Sequence, residues 1–97
     1  MGQIRLRASW NGYAFIEDLG ICQSWRQKGI GSLLLTQAVE WARQNKLIGL
    51  ALETQDVNLS ACRFYSRKGF VIGGIDTMLY SKFPTAHEKA IFWYYML

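Results

Sequence analysis

The chain has little of what staples or stiffens a small protein. Its 97 residues hold one proline, two cysteines and one histidine. Two cysteines are too few for a disulfide-dense secreted scaffold, and Cys22 and Cys62 have neither CxxC nor His spacing for a zinc site. Both are expected to be free, buried thiols in a reducing compartment, and no metal is expected. The nine glycines follow no fixed period, which excludes a collagen-like repeat. No apolar run approaches the ~18 residues a spanning helix needs. Charged residues make up only 19% against 51% apolar, the opposite of a disordered composition. Met1-Gly2-Gln3-Ile4 runs straight into a strand-like pattern without the features of a signal peptide. The sequence therefore predicts one soluble, cytoplasmic domain over residues 1–97, with no membrane partner.

What is present is a modest excess of positive charge. Eleven Lys and Arg against seven Asp and Glu give +4. Such a balance suits an anionic partner. The basic residues are spread out, densest at Arg26/Lys28 and Arg63/Arg67/Lys68. That favours a local phosphate site over a nucleic-acid stripe. With neither a base-stacking aromatic array on one strand face nor a basic helix, a nucleic-acid partner is the least favoured reading.

The element order reads β-β-α-β-α-β-β. Ile4, Leu6 and Ala8 alternate with Arg5, Arg7 and Ser9, the period of a half-buried strand. Asn11-Gly12 is a strong hairpin-turn signal, so Tyr13–Ile21 is expected to run antiparallel to the first strand. Leu34, Ala38, Trp41 and Ala42 recur at three and four, an amphipathic helix from about Ile30 to Lys46 with Trp41 and the leucines in the core. Leu47 to Thr54 suits a buried strand. Asn58 and Ser60 offer N-caps for a second helix, and Gly69 offers its left-handed C′ residue. Phe70–Tyr80 and Ala90–Met96 are the last two strand candidates, joined by 81–89. The tail Ile91-Phe92-Trp93-Tyr94-Tyr95-Met96-Leu97 is so apolar that it must pack inside or meet a second chain.

Between the second strand and the first helix lies Arg26-Gln27-Lys28-Gly29-Ile30-Gly31. A pyrophosphate needs several N–H donors converging on one point, and a tight turn into a helix N-terminus supplies them. Glycine at 29 and 31 lets backbone approach oxygen without a Cβ between, and Arg26 and Lys28 add charge. GxGxxG is absent, and no Gly-Lys-Ser/Thr comes after, so neither a Rossmann fingerprint nor a Walker loop is present.

R-x-x-G-x-G after a strand ending Leu19-Gly20-Ile21 resembles the acetyl-CoA-binding signature of the GNAT N-acetyltransferases. Asn58, Ala61, Phe64-Tyr65 and Gly69-Phe70 form N-x-x-A-x-x-F-Y-x-x-x-G-F, which resembles the second conserved block of that superfamily. A closer resemblance, to the streptothricin (nourseothricin) acetyltransferases, covers almost the whole chain. Ala14-Phe15-Ile16-Glu17-Asp18, Leu52-Glu53-Thr54-Gln55-Asp56, Asp76–Ser81, Phe83-Pro84-Thr85-Ala86 and Ala90–Tyr95 carry it. It implies an α/β fold (a mixed α+β sheet), the C-terminal part of a GNAT acyl-CoA fold without the strands and helices that precede Ile4 in the family.

The resemblance also implies roles. Acetyl-CoA would be held by Ile21, Cys22, Arg26, Gln27, Lys28, Gly29, Ile30, Gly31, Ser32 and Asn58, with the Ile21 N–H as oxyanion donor and direct transfer leaving Cys22 structural. Only about one alkylamine in 10³ is neutral at pH 7, so a carboxylate near the acceptor is useful. Glu17 and Asp18 are adjacent on a strand and are expected to face opposite sides of the sheet. Glu17 is preferred for the acceptor, the alternative being that one of the two pairs with Arg5 or Arg7. Tyr65 is the implied general acid toward the leaving thiolate, or else a core aromatic beside Phe64. His87 is assigned no catalysis.

Two readings remain open. One is an N-acetyltransferase acting on a primary amine of a streptothricin-like antibiotic, competent as a homodimer that covers the exposed sheet edge. The other is a non-catalytic acetyl-CoA-binding or dimerisation fragment without the acceptor pocket.

Overall fold

The computed structural model describes residues 2–21, 30–82 and 87–97. The elements are β1 (Gly2–Ala8), β2 (Tyr13–Ile21), α1 (Ile30–Gln44), β3 (Gly49–Gln55), α2 (Leu59–Arg67), β4 (Val71–Asp76) and β5 (Ala90–Met96). This is the order read from the sequence. The strands form a five-stranded mixed sheet hydrogen-bonded as β1-β2-β3-β5-β4. The chain divides into two compact units, residues 1–51 with 96–97 and residues 52–95.

In the first unit, Asn11-Gly12 makes the expected turn, with Gly12 at φ +89° and the Ser9 N–H donating to Tyr13 O at 2.8 Å. β1 and β2 pair antiparallel, while β2 pairs in parallel with the start of β3, Tyr13–Phe15 against Gly49–Ala51. Helix α1 packs on β1 and β2. Gly31, Leu34, Leu35, Ala38 and Ala42 are its buried positions, facing a core shared with Ala14, Ile16, Leu50 and Ala51. That spacing is the apolar stripe the sequence predicts.

Two details differ from expectation. Trp41 is half-buried rather than core, and of the helix leucines Leu34 and Leu35 are buried while Leu33 is exposed. The helix also stops at Gln44, because Lys46 adopts φ 58° and closes a Schellman motif. In it the Leu47 N–H donates to Ala42 O at 2.9 Å and the Lys46 N–H to Arg43 O at 3.1 Å. No glycine marks this end, so periodicity alone runs past it.

In the second unit, Asn58 caps α2 through Oδ1, which accepts the Ala61 N–H at 3.2 Å. Gly69 (φ +96°) closes the other end, with the Phe70 N–H donating to Tyr65 O at 3.0 Å. Leu52, Thr54, Tyr65, Phe70, Ala90 and Trp93 are buried. Of the Phe92–Tyr95 cluster only Trp93 is fully inside; the others are half-buried. Cys62 is a free thiol and half-buried, against the fully buried thiol expected. Cys22 lies outside the described residues.

Strand β4 is shorter than the predicted Phe70–Tyr80. Asp76 Oδ1 accepts the Met78 N–H at 2.8 Å, an Asx turn that ends the strand. The Ser81 N–H and Oγ then both donate to Met78 O.

Candidate functional site

The first unit carries the residues expected at the cofactor and the acceptor amine. Glu17 occupies a β-bulge. Leu6 pairs with Ile16 and Arg5 with Asp18, leaving Glu17 as the extra residue of β2. A bulge re-aims the side chain of its extra residue, so Glu17 need not follow the strict alternation expected along the strand. The Glu17 carboxylate accepts from Arg7 Nε at 2.7 Å. That is the ion pair set out as the alternative to an acceptor role. Both side chains are about half exposed, at 49% and 47%. An exposed pair of this kind contributes only about 0–1 kcal/mol, so Glu17 is not locked to Arg7. The Arg7 guanidinium also stacks 4.7 Å from the Phe15 ring centre, which holds it in place independently of the carboxylate.

Ile21 ends β2, and Ile30 opens α1. Cys22, Arg26, Gln27, Lys28 and Gly29, the candidate phosphate loop, lie outside the described residues. The start of α1 suits an anion. Its first turn contains no acidic residue, Gly31 is buried and Ser32 half-buried. The positive end of the helix dipole is therefore not neutralised by its own side chains.

The second unit holds Tyr65, Asn58 and a polar group to which the sequence alone assigns no role. Tyr65 is 7% exposed, with its ring edge-on to Phe64 (5.2 Å) and to Phe70 (5.3 Å). Burial pushes its phenol up to about 12. At neutral pH it is therefore a protonated group, as a proton donor must be, and also the core aromatic of the alternative reading. The Asn58 side chain is engaged by its own helix cap, which leaves its second amide atom as the one available for a ligand.

That polar group is built on Glu53 and Tyr80, which the sequence marks only as members of family-like stretches. The Tyr80 hydroxyl donates to Glu53 Oε2 at 2.6 Å, part-buried. Burial, that bond and the charges of Glu53 and Glu88 push the Tyr80 phenol up to about 12. Beside them on β3, Thr54 Oγ1 accepts from Trp93 Nε1 at 3.0 Å and lies 3.7 Å from Cys62 Sγ. The readable signal is a carboxylate inside the apolar run Leu50-Ala51-Leu52-Glu53. Among the described residues no group of three or more His, Cys, Asp or Glu could hold a metal ion, and no helix is long and apolar enough to cross a membrane.

The acetyltransferase (GNAT) family profile matches residues 1–70. The chain belongs to that family. Streptothricin acetyltransferase A of Bacillus subtilis (strain 168) is 58% identical over 95 residues, covering 98% of this chain and 55% of that protein. Streptothricin acetyltransferase of Escherichia coli is 38% identical over 96 residues, with the same coverage of each chain. A Bacillus anthracis (strain Ames) protein assigned as a streptothricin acetyltransferase, crystallised with acetyl coenzyme A, superposes with TM-score 0.95 at 43% identity. It matches 99% of this chain and 56% of its own. The chain thus spans about half the length of the relatives it matches. The GNAT fold and family read from the two motifs are those found.

Proposed function

We propose that the chain binds acetyl-CoA and serves an N-acetyltransferase that moves the acetyl group directly to a primary amine of a streptothricin-like antibiotic. The reading is carried by its 58% identity, over almost the whole chain, to a protein named for that reaction. Acetyl-CoA would supply the activated thioester; the residues of this chain bind, orient and move protons. The Ile21 backbone N–H at the end of β2 serves as donor to the thioester oxygen, with the Cys22 backbone beside it. Residues 26–32, from Arg26 to Ser32, hold the pyrophosphate through N–H groups and charge, and the unopposed first turn of α1 supports this. Asn58 reaches the pantetheine arm.

Glu17 exchanges Arg7 for the acceptor's ammonium and takes up its proton, with Asp18 as the neighbouring acceptor contact. Tyr65 returns a proton to the leaving thiolate. Its phenol, up at about 12, is a weaker acid than a thiol of ~8.5, so its proton loss is uphill and is made good by the second proton that the attacking nitrogen sheds on becoming an amide, which refills the phenol. We further place the protein in the cytoplasm, where acetyl-CoA is available, and as a homodimer that covers the apolar side chains exposed on β4.

Titration calorimetry with acetyl-CoA tests the cofactor half. Saturable binding near one per chain, lost in Gly29→Glu, is expected. Thiol release in the presence of streptothricin tests turnover. Binding without release would replace the enzyme reading with that of a cofactor-binding part.

A further inference from the structure

In the second unit, two residues just outside the strands are joined by a reciprocal pair of hydrogen bonds. Asp56 comes directly after β3 and Lys89 directly before β5. The Asp56 N–H donates to Lys89 O at 2.8 Å, and the Lys89 N–H donates to Asp56 Oδ1 at 3.0 Å. The anchors on either side are firm, since Thr54 and Ala90 are both buried.

The clamp holds the turn that carries Asn58. The Asn58 N–H donates to Gln55 O at 3.1 Å, so the turn closes on the last residue of β3 with Asp56 inside it. Residues 57–60 are all exposed, so hydrogen bonds rather than packing locate this stretch. Asn58 itself is almost fully engaged. Its carbonyl accepts the Cys62 N–H at 3.1 Å, and its Oδ1 accepts the Ala61 N–H at 3.2 Å. Its Nδ2, an amide donor, is the polar atom left without a partner among the described residues.

We propose that Asp56 is a positioning residue for acetyl-CoA: bonded to Lys89, it fixes the 55–58 turn so that Asn58 Nδ2 is ready for a carbonyl of the pantetheine arm. The inference rests on the reading of Asn58 as a cofactor contact. The amide carbonyls of pantetheine are acceptors and match an unused N–H donor. Such a donor adds most affinity when it is already held in place, because its ordering is then not a cost of binding. The Lys89 N–H needs only an acceptor oxygen at position 56, not a charge. The backbone half of the clamp survives any side chain there, so removing the carboxylate loosens the turn without undoing it.

The test is calorimetric titration of the full chain with acetyl-CoA, with the thermal midpoint measured alongside. Asn58→Ser keeps a capping oxygen but removes the amide, and should weaken acetyl-CoA about tenfold, the value of one hydrogen bond. Asp56→Ala should weaken it about fivefold, whereas Asp56→Asn, which retains an acceptor oxygen, should bind within about twofold of wild type. Because Asp56 acts through Asn58, a double variant carrying Asp56→Ala and Asn58→Ser should bind no more weakly than Asn58→Ser alone. A residue that only staples the strands would lower the midpoint in Asp56→Ala and leave affinity unchanged, which overturns the positioning role. An equal loss in Asp56→Asn, or losses that multiply in the double variant, would overturn it too. Failure of the underlying reading looks different. Wild-type affinity in Asn58→Ser removes Asn58 from the cofactor contacts, and no acetyl-CoA binding by wild type removes the cofactor reading; either takes this inference with it. If Asp56→Ala fails to fold, Asp56→Ser decides. Its hydroxyl stands one atom short of Oδ1, so the same loss is expected, and unchanged affinity would count against the role.

Discussion

At the scale of single residues, burial decides what Tyr65 can do. Its ring fills the space between Phe64 and Phe70, so Tyr65→Phe should keep the packing while removing the proton. We expect thiol release to fall roughly 10²-fold, the usual contribution of a positioned general acid, with acetyl-CoA affinity unchanged. Tyr65→Ala is different in kind and should cost about 3–5 kcal/mol through the cavity it leaves. The raised phenol also links to pH. The folded value of about 12 lies above the ordinary 10.0, so the folded state holds this proton more tightly than the unfolded chain. Its contribution is complete below pH 10 and is lost as pH climbs toward 12, by up to about 3 kcal/mol. Urea unfolding at pH 9 and pH 11.5 should show wild type losing more stability over that interval than Tyr65→Phe. Equal losses would mean that Tyr65 is not the group being held. Glu17 shows the opposite case. Its half-exposed pair with Arg7 contributes little, so Arg7→Ala should change stability by less than ~1 kcal/mol while freeing the carboxylate.

At the scale of elements, the sequence was most readable where local chemistry alone sets a boundary. Asn11-Gly12, Asn58 and Gly69 each fix a turn or a helix end by their own backbone or side chain, and β2 and β5 fall where alternation and apolarity place them. It misled where the boundary depends on a conformation that residue type does not announce. Lys46 ends α1 in the left-handed region, a position more often taken by glycine, and the Asp76 turn cuts β4 short inside an apolar run. The bulge at Glu17 was equally hidden, because register is a property of two strands rather than one.

Glycines 73 and 74 in β4 give a sharp test of this level. A Cβ on Gly73 would overlap the Tyr94 ring, whereas nothing lies within 4 Å of a Cβ on Gly74. Gly73→Ala should therefore cost about 1–3 kcal/mol in denaturant unfolding. Gly74→Ala should be near neutral. Asn58→Ala should cost about 1 kcal/mol through the lost cap. An equal effect of the two glycine substitutions would show that the Tyr94 ring is not what keeps residue 73 bare.

At the scale of the whole molecule, the family was legible because two motifs stood in order on the elements they require. The Glu53–Tyr80 hydrogen bond was not, since its members lie 27 positions apart and only folding brings the hydroxyl to the carboxylate. The aromatic tail, expected to pack inside or to meet a second chain, has Trp93 buried and its neighbours half-buried, while Val71, Ile72, Ile75 and Met78 are 52–71% exposed. Strand β4 is the last in the hydrogen-bonded order and carries neither lysine nor proline between Val71 and Ile75. Edge strands in monomers are normally blunted by such residues, and here the bulge between Ile72 and Gly74 is the device present. A second copy of the chain is the cover we propose for this apolar edge. Light scattering should find a dimer at micromolar concentration. Ile75→Lys, at a position 58% exposed, should shift it to monomer with little change in the thermal midpoint at low protein concentration. A wild-type chain that is monomeric throughout that range would remove the dimer, and a dimer indifferent to Ile75→Lys would move the interface away from β4.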